Sequence, residues 1–369
     1  MDMIRSFLPV GQGAFYTEQF DDGTNVIYDC GSENGIRMIE EMIKSTFHEG
    51  DIIHAVFISH MHSDHMNGLE FLLQYCNVKT IYLPFLSQEE RRVSSLIQEI
   101  TPNTTDFVRD FMHNPEDTLR RYLKDQRRRI PQVKFVLPKN LNGISPEERE
   151  RTISQQVYSG DEIAKPGSVE TTNWVYIPFN LQNAERKKIF TDKLKSMGID
   201  INNWKNVQKL LRSEPGREQF RKAYDAVPGK LNTNSLVIYS GPDPGKTGGE
   251  IFQVFQHPNG KWHLDDSISP GCLYLGDFDA RTKGNYAELE DSYTGCWNNV
   301  GVLQIPHHGS KHNFNSKLLS KADCFVISAG SVNRYKHPHV FVLKEIVLHR
   351  KPCVWVTEKN SSIGRFRVQ

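Results

Sequence analysis

Apolar residues along this chain gather into two blocks of short runs, separated by a long charged stretch. The first block holds Ser6–Val10, Asn25–Asp29, Ile53–Ser59 and Thr80–Leu83. The second holds Ser235–Ser240, Ile251–Gln256, Leu273–Leu275, Gly301–Ile305, Asp323–Ser328 and Cys353–Thr357. The runs are rich in β-branched and aromatic side chains, as strands are. Helical periodicity falls between some of them, at Ile36–Phe47, Gly68–Cys76, Asn315–Lys321 and Val340–His349. Strands alternating with helices in both blocks predict an α/β sandwich, two sheets covered by helices.

Residues 86–230 read differently. They are charged and mainly helical in pattern; in Glu185–Gly198, for example, Ile189, Phe190, Leu194 and Met197 share one face and Gly198 is placed to stop the helix. The expected organisation is therefore a first half (1–85), a helix-rich insertion (86–230) and a second half (231–369). Charge follows the same division. The net +1 of the whole chain hides 26 Lys/Arg against 20 Asp/Glu within 86–230, and 19 against 24 elsewhere.

The apolar share of 38%, with 20 Phe, 13 Tyr and 5 Trp, is ample for a packed core and excludes a wholly disordered chain. No apolar run is long enough to span a bilayer, and the N-terminus lacks the layout of a signal peptide. The six cysteines (30, 76, 272, 296, 324 and 353) are scattered without a CxxC pair, so they read as buried hydrophobes rather than a disulfide frame. A cytoplasmic location, away from membranes, is expected.

The candidate chemistry begins where the run Ala55–Ser59 ends. His60-Met-His62-Ser-Asp64-His65 places four potential ligands within six residues at the carboxyl end of a strand, where α/β sheets carry their sites. In extended chain the two histidines of H-x-H point the same way and can share one ion. Asp64 and His65, on the following turn, can serve a second. Imidazole and carboxylate ligands without thiolate suit zinc, manganese or iron and argue against a closed structural zinc. Three further clusters follow strands of the second block: Gly276-Asp277-Phe278-Asp279, Pro306-His307-His308-Gly309-Ser310 and His337-Pro338-His339. Gly11 and Gly13 suit a turn.

Taken together these motifs resemble the metallo-β-lactamase-fold hydrolases, whose signature is HxHxDH. Pro9-Val-Gly-Gln12-Gly13, Ile27-Tyr-Asp29-Cys-Gly31, Asn234-Ser235-Leu-Val, Leu275-Gly276-Asp277, Pro306–Ser310 and Asn333–His339 are similar to one branch. That branch is the hydrolase domain of bacterial competence proteins of the DNA-uptake channel, with its soluble relatives. The resemblance covers about 1–85 and 231–369; the insertion and the lack of a channel-forming segment depart from it.

It implies an αββα sandwich holding two divalent ions, zinc or manganese. Asp277 would bridge them. His60, His62 and His308 would hold the first, and Asp64, His65 and His337 the second, with Asp64 also counted as catalytic. The separate histidine that many members supply between the first motif and the bridging Asp has no clear counterpart; His113, His257 and His263 are the candidates. His307 or His339 would give a proton to the leaving group or else support a ligand.

A hydroxide formed between two ions can attack phosphorus or a carbonyl. Hydrolysis of a phosphodiester in DNA, RNA or a nucleotide leads, since eight Lys/Arg lie between Arg120 and Lys139 (120, 121, 124, 127, 128, 129, 134 and 139) with Tyr122 and Phe135 among them. A solvated helix face gives the same pattern. Hydrolysis of a small ester, lactone or thioester is the alternative. A regulatory protein that docks a partner through 86–230 is another; soluble relatives also stand beside phage-defence systems.

Overall fold

The computed structural model describes residues 2–86, 105–124, 128–139, 156–167, 173–181, 184–226, 235–245 and 268–369, with two strands at 253–256 and 262–263 and isolated positions at 90, 91, 94 and 96. Arg127, Asn234 and His257 lie outside them, as does the side chain of His263.

Two large sheets face each other. In the first, β1 (Met3–Phe7) lies between β2 (Gly13–Phe20) and β19 (Gly364–Val368), antiparallel to both. On the β2 side follow β3 (Asn25–Ser32), then β5 (Ala55–Phe57), β7 (Thr80–Pro84), β8 (Gln132–Leu137) and β9 (Gln156–Tyr158). From β3 onward the pairing is parallel. Beyond β19 lie β13 (Gln253–Gln256) and β14 (Trp262–His263). A small separate pair joins β4 (Ile52–Ile53) to β6 (Asn77–Val78).

The second sheet runs β10 (Ile163–Ala164), β11 (Trp174–Phe179), β12 (Val237–Pro242), β15 (Gly271–Tyr274), β16 (Val300–Gln304), β17 (Cys324–Ser328), β18 (Cys353–Val356). Its last three pairings are parallel. Both sheets thus have a parallel half, and parallel strands end side by side at one edge.

Three apolar layers make this an αββα sandwich. Between the sheets pack Phe7, Tyr16, Phe57, Trp174, Tyr274, Val302 and Phe366, among others. Over the first sheet lie α1 (Ile36–Thr46), α2 (Ser63–Met66), α3 (Leu69–Tyr75), α4 (Asp106–His113) and α5 (Pro115–Leu123), through Ile39, Ile43, Met66, Leu72, Phe107, Phe111 and Leu119. Over the second, Leu289, Val342 and Ile346 close the outer face. No helix among the described residues is long and apolar enough to cross a membrane.

The stretch 86–230 is not a self-contained helical insertion. Its strands β8, β9, β10 and β11 extend the two sheets, and α4 and α5 bury their apolar faces on the first. Among the described residues, α6 (Ala184–Ser196), α7 (Trp204–Leu211) and α8 (Glu214–Asp225) share a separate core with Leu96, around Phe190, Leu194, Val207 and Phe220. Charged outer faces dominate the composition there and conceal the apolar inner ones.

Candidate metal centre

Four strands deliver the site from their carboxyl ends. β5 runs into His60, His62 and α2; β15 into Gly276 and Asp277; β16 into His307 and His308; β17 into the segment 329–339. Helix α2 lies directly on the β3 backbone. A Cβ on Gly31 would come within 2.5 Å of the Asp64 carbonyl carbon, so only glycine lets the helix this close. Asn67 fixes the contact, accepting from Ser32 N at 3.0 Å and donating to Ser32 O at 2.7 Å.

The two sheets meet at Gly276, whose added Cβ would lie 2.6 Å from Ser59 Cβ, with its φ at 52°. Gln304, buried on β16, holds that turn: its Oε1 accepts from Leu275 N at 2.7 Å and Gly276 N at 2.8 Å. The result is that Asp277 projects between the histidines of the other sheet.

Asp277 has a different set of neighbours on each oxygen. Oδ2 lies 3.6 Å from His60 Nε2 and 3.4 Å from His307 Nε2; Oδ1 lies 3.3 Å from His65 Nε2 and 3.9 Å from His308 Nε2. Asp64 Oδ2 is 3.2 Å from His308 Nε2 and 3.7 Å from His65 Nε2. Three groups have ligand atoms within 4.8 Å of one another: His60, His62 and Asp64; His60, His65 and Asp277; Asp64, His65 and His308.

The rings of His60, His65, His307 and His308 are held from behind. His65 Nδ1 is 2.7 Å from Asp29 Oδ2, His308 Nδ1 is 2.7 Å from Ser328 O, and His307 Nδ1 is 2.9 Å from Asn313 Oδ1. His60 Nδ1 faces the hydroxyls of Ser59 at 3.0 Å and Ser235 at 3.3 Å. With Nδ1 occupied, the Nε2 atoms point into the centre, the pattern of metal-binding histidines.

The buried atoms there are short of partners. His60 Nε2, His65 Nε2 and Asp277 Oδ1 make no hydrogen bond, although buried polar atoms nearly always do. Converging, orphaned imidazole nitrogens and a carboxylate oxygen fit divalent ions. The electrostatics agree. Burial, with His65 close by, holds the His60 imidazole well below its usual range, and burial takes His62 down to about 4. Burial opposes charge on His65 too, but Asp64, Asp29 and Asp277 overcome it and push that ring well above the usual range. Burial would raise the Asp277 carboxyl, yet His307, His65 and His60 keep it well below.

Residues 12–94, which include His60–His65, match the model of the metallo-beta-lactamase superfamily. The chain has the metallo-β-lactamase fold. Recombination protein 2 of Haemophilus influenzae is 32% identical over 123 residues, 32% of this chain and 15% of that protein, so the chain spans a small part of that relative's length. Two solved structures also carry likeness. Zn(2+)-bound PqqB from Methylobacterium extorquens is 8% identical, with 97% of this chain and 98% of that one covered and a TM-score of 0.42. A diphosphatase of the PhnP family is 10% identical, with 89% and 86% covered and a TM-score of 0.36.

Within this metallo-β-lactamase fold the expected residues do not all stand where the resemblance put them. His60, His62, Asp64, His65 and Asp277 converge. His308, expected beside His60 and His62, instead joins Asp64 and His65, and His307 takes the place beside His60. Successive left-handed backbone angles, 48° at His307 and 54° at His308, turn the two rings to opposite sides of Asp277. His337, expected with Asp64 and His65, packs its ring against His307 at 5.6 Å and stacks on Tyr335 at 5.8 Å. His339, expected as a proton donor, caps the helix α9 (Val340–Leu348), its Nδ1 accepting from Phe341 N at 3.1 Å.

His113 is exposed and meets Trp204 edge-on, in no described ligand cluster. Asp29 and Asn313 were missed as site residues; Asp29 could have been found as a carboxylate inside an apolar run.

Three of the eight basic residues from Arg120 to Lys139 have acidic partners among the described residues. Arg121 pairs with Asp110 and Asp117, Arg128 with Glu49, and Lys139 with Asp291. Tyr122 and Phe135, expected to be available for stacking, pack against the core over the first sheet, because that face of α5 and β8 is its inner one.

Proposed function

We propose that this chain is a binuclear metal-dependent phosphodiesterase acting on nucleic acid or a nucleotide. The carrying observation is the convergence of His60, His65, His307 and His308 Nε2 on the two oxygens of Asp277, with no hydrogen bond for the buried His60 and His65 nitrogens. His60, His62 and His307 would hold one ion, and Asp64, His65 and His308 the other, with Asp277 between. Zinc or manganese there would make a water acidic near neutrality and neutralise charge on the reacting oxygens. The residues' own contribution is positional. Asp29, Ser328 and Asn313 hold the imidazoles, and the burial of His60, His65 and Asp277 keeps bulk water from their inner faces. Likeness to a protein named for recombination favours nucleic-acid phosphodiesters over small esters.

Elemental analysis and turnover test this together. The loaded protein should carry two ions per chain on this reading and hydrolyse bis(p-nitrophenyl) phosphate, single-stranded DNA or RNA, with loss of activity in chelator. His307→Ala and His308→Ala should each lower the metal content by about one ion. Full diesterase activity in Asp277→Ala would sink the binuclear reading. Turnover of a lactone panel without any diester would identify an ester hydrolase instead.

A further inference from the structure

After β17 the chain crosses the mouth of the centre, and it carries there an arginine that the ligand set does not use. Tyr335 stacks on His337, which meets His307 edge-on. The Tyr335 hydroxyl donates to Glu33 Oε1 at 2.9 Å. Arg334 lies over the Tyr335 ring, its Cζ 4.7 Å from the centroid; its Nη2 donates to the Tyr335 hydroxyl and stands 3.5 Å from Glu33 Oε1. Glu33 itself lies in the field of Asp64 and His308. Arg334 is therefore two side chains from the candidate ligands, yet 63% of its side chain is open to solvent.

The three-way contact holds the guanidinium through one nitrogen and one face. Nε and Nη1 have no described hydrogen bond. An exposed pair such as Arg334–Glu33 contributes little to stability, about 0–1 kcal/mol, so fold stability alone gives little reason for it. A pre-oriented guanidinium with spare donors is suited to phosphate oxygens in a way that a flexible ammonium is not.

We propose that Arg334 is the substrate-anion subsite of this centre, binding a phosphate oxygen of a phosphodiester, with Tyr335 and Glu33 holding the guanidinium in place. The substrate class rests on the phosphodiesterase reading; the anion subsite does not. Glu33 acts against the ligand, as the carboxylate an incoming phosphate must share Arg334 with. Removing the two residues should therefore have opposite effects.

The test is fluorescence anisotropy of the metal-loaded protein with a fluorescein-labelled phosphorothioate oligothymidylate, which resists hydrolysis, across a salt series. Arg334→Ala should weaken binding about tenfold and flatten the log K against log salt slope by about 0.7, the loss of one single-strand phosphate contact. Glu33→Gln should tighten binding, and both variants should keep the parent's metal content. Unchanged affinity and slope in Arg334→Ala, weaker binding in Glu33→Gln, or no binding by the parent overturns the proposal. If Arg334→Ala does not fold, Glu33→Gln decides, with tighter binding in support and unchanged or weaker binding against. A parent that hydrolyses no diester while Arg334→Ala still loses affinity would remove the phosphodiesterase reading and leave the anion subsite standing.

Discussion

Asp29 shows how a residue outside the candidate ligand set can orient a member of it. It is fully buried with its φ at 57°, accepts from Ser59 N at 2.6 Å and Ser59 Oγ at 2.7 Å, and lies 2.7 Å from His65 Nδ1. That arrangement fixes the His65 tautomer and strengthens its Nε2 as a donor to a cation. Asp29→Asn keeps the shape and removes the charge. We expect affinity for the ion proposed at Asp64, His65 and His308 to fall by about 10- to 100-fold, with an unchanged circular dichroism spectrum, in competition against a chromogenic chelator. Parental affinity would reduce Asp29 to a packing role. At this scale the sequence was informative where chemistry is written in spacing, as in His60–His65. It was silent on which oxygen of Asp277 each of His307 and His308 faces, because two left-handed backbone angles decide that.

Among the elements, the connection between the sheets is polar at its heart. Arg5 of β1 donates through Nε to Glu18 Oε1 of β2 at 2.8 Å. Glu18 also accepts from Tyr274 of β15 at 2.9 Å, Tyr176 of β11 at 2.7 Å and Ser240 of β12 at 2.7 Å. Five strands from both sheets thus share one buried carboxylate. Glu18→Gln strands the buried Arg5 charge, and breaking a buried pair this way costs about 3–5 kcal/mol. Urea unfolding should show that loss; a change below about 1 kcal/mol would mean that water or the tyrosines take over the charge.

The same cluster explains which strands escaped the sequence reading. In β2 the buried Thr17 and Glu18 interrupt the apolar signal. In β11 the apolar run lies within the charged stretch 86–230, whose composition reads as helical. In β19 only Phe366 and Val368 mark the inner face. Full burial by itself did not hide a strand, since β15, β16 and β17 are buried throughout and were legible as uninterrupted apolar runs. The strands that escaped carry polar or charged residues within the run or lie in the charged stretch 86–230.

On the scale of the molecule, the fold class was readable because the ligand clusters each follow a strand, in both halves of the chain. The division at 86–230 was not, since charge density reports outer faces and topology depends on inner ones. One pairing also bears on how the molecule is made. β1 is bonded on one side to β2 and on the other to β19, in a register that sets Met3 opposite Val368 and Phe7 opposite Gly364. β1 therefore waits, with one edge unpaired, for residues 364–368. Long-range pairing of this kind is slow and leaves aggregation-prone edges exposed meanwhile. Deleting 364–368 should send most of the protein to the insoluble fraction on expression, and a soluble, cooperatively unfolding product would refute this. On a ribosome the first sheet should resist protease only once residues 364–368 have left the exit tunnel, so β1 carries an open edge while everything between the two strands is made.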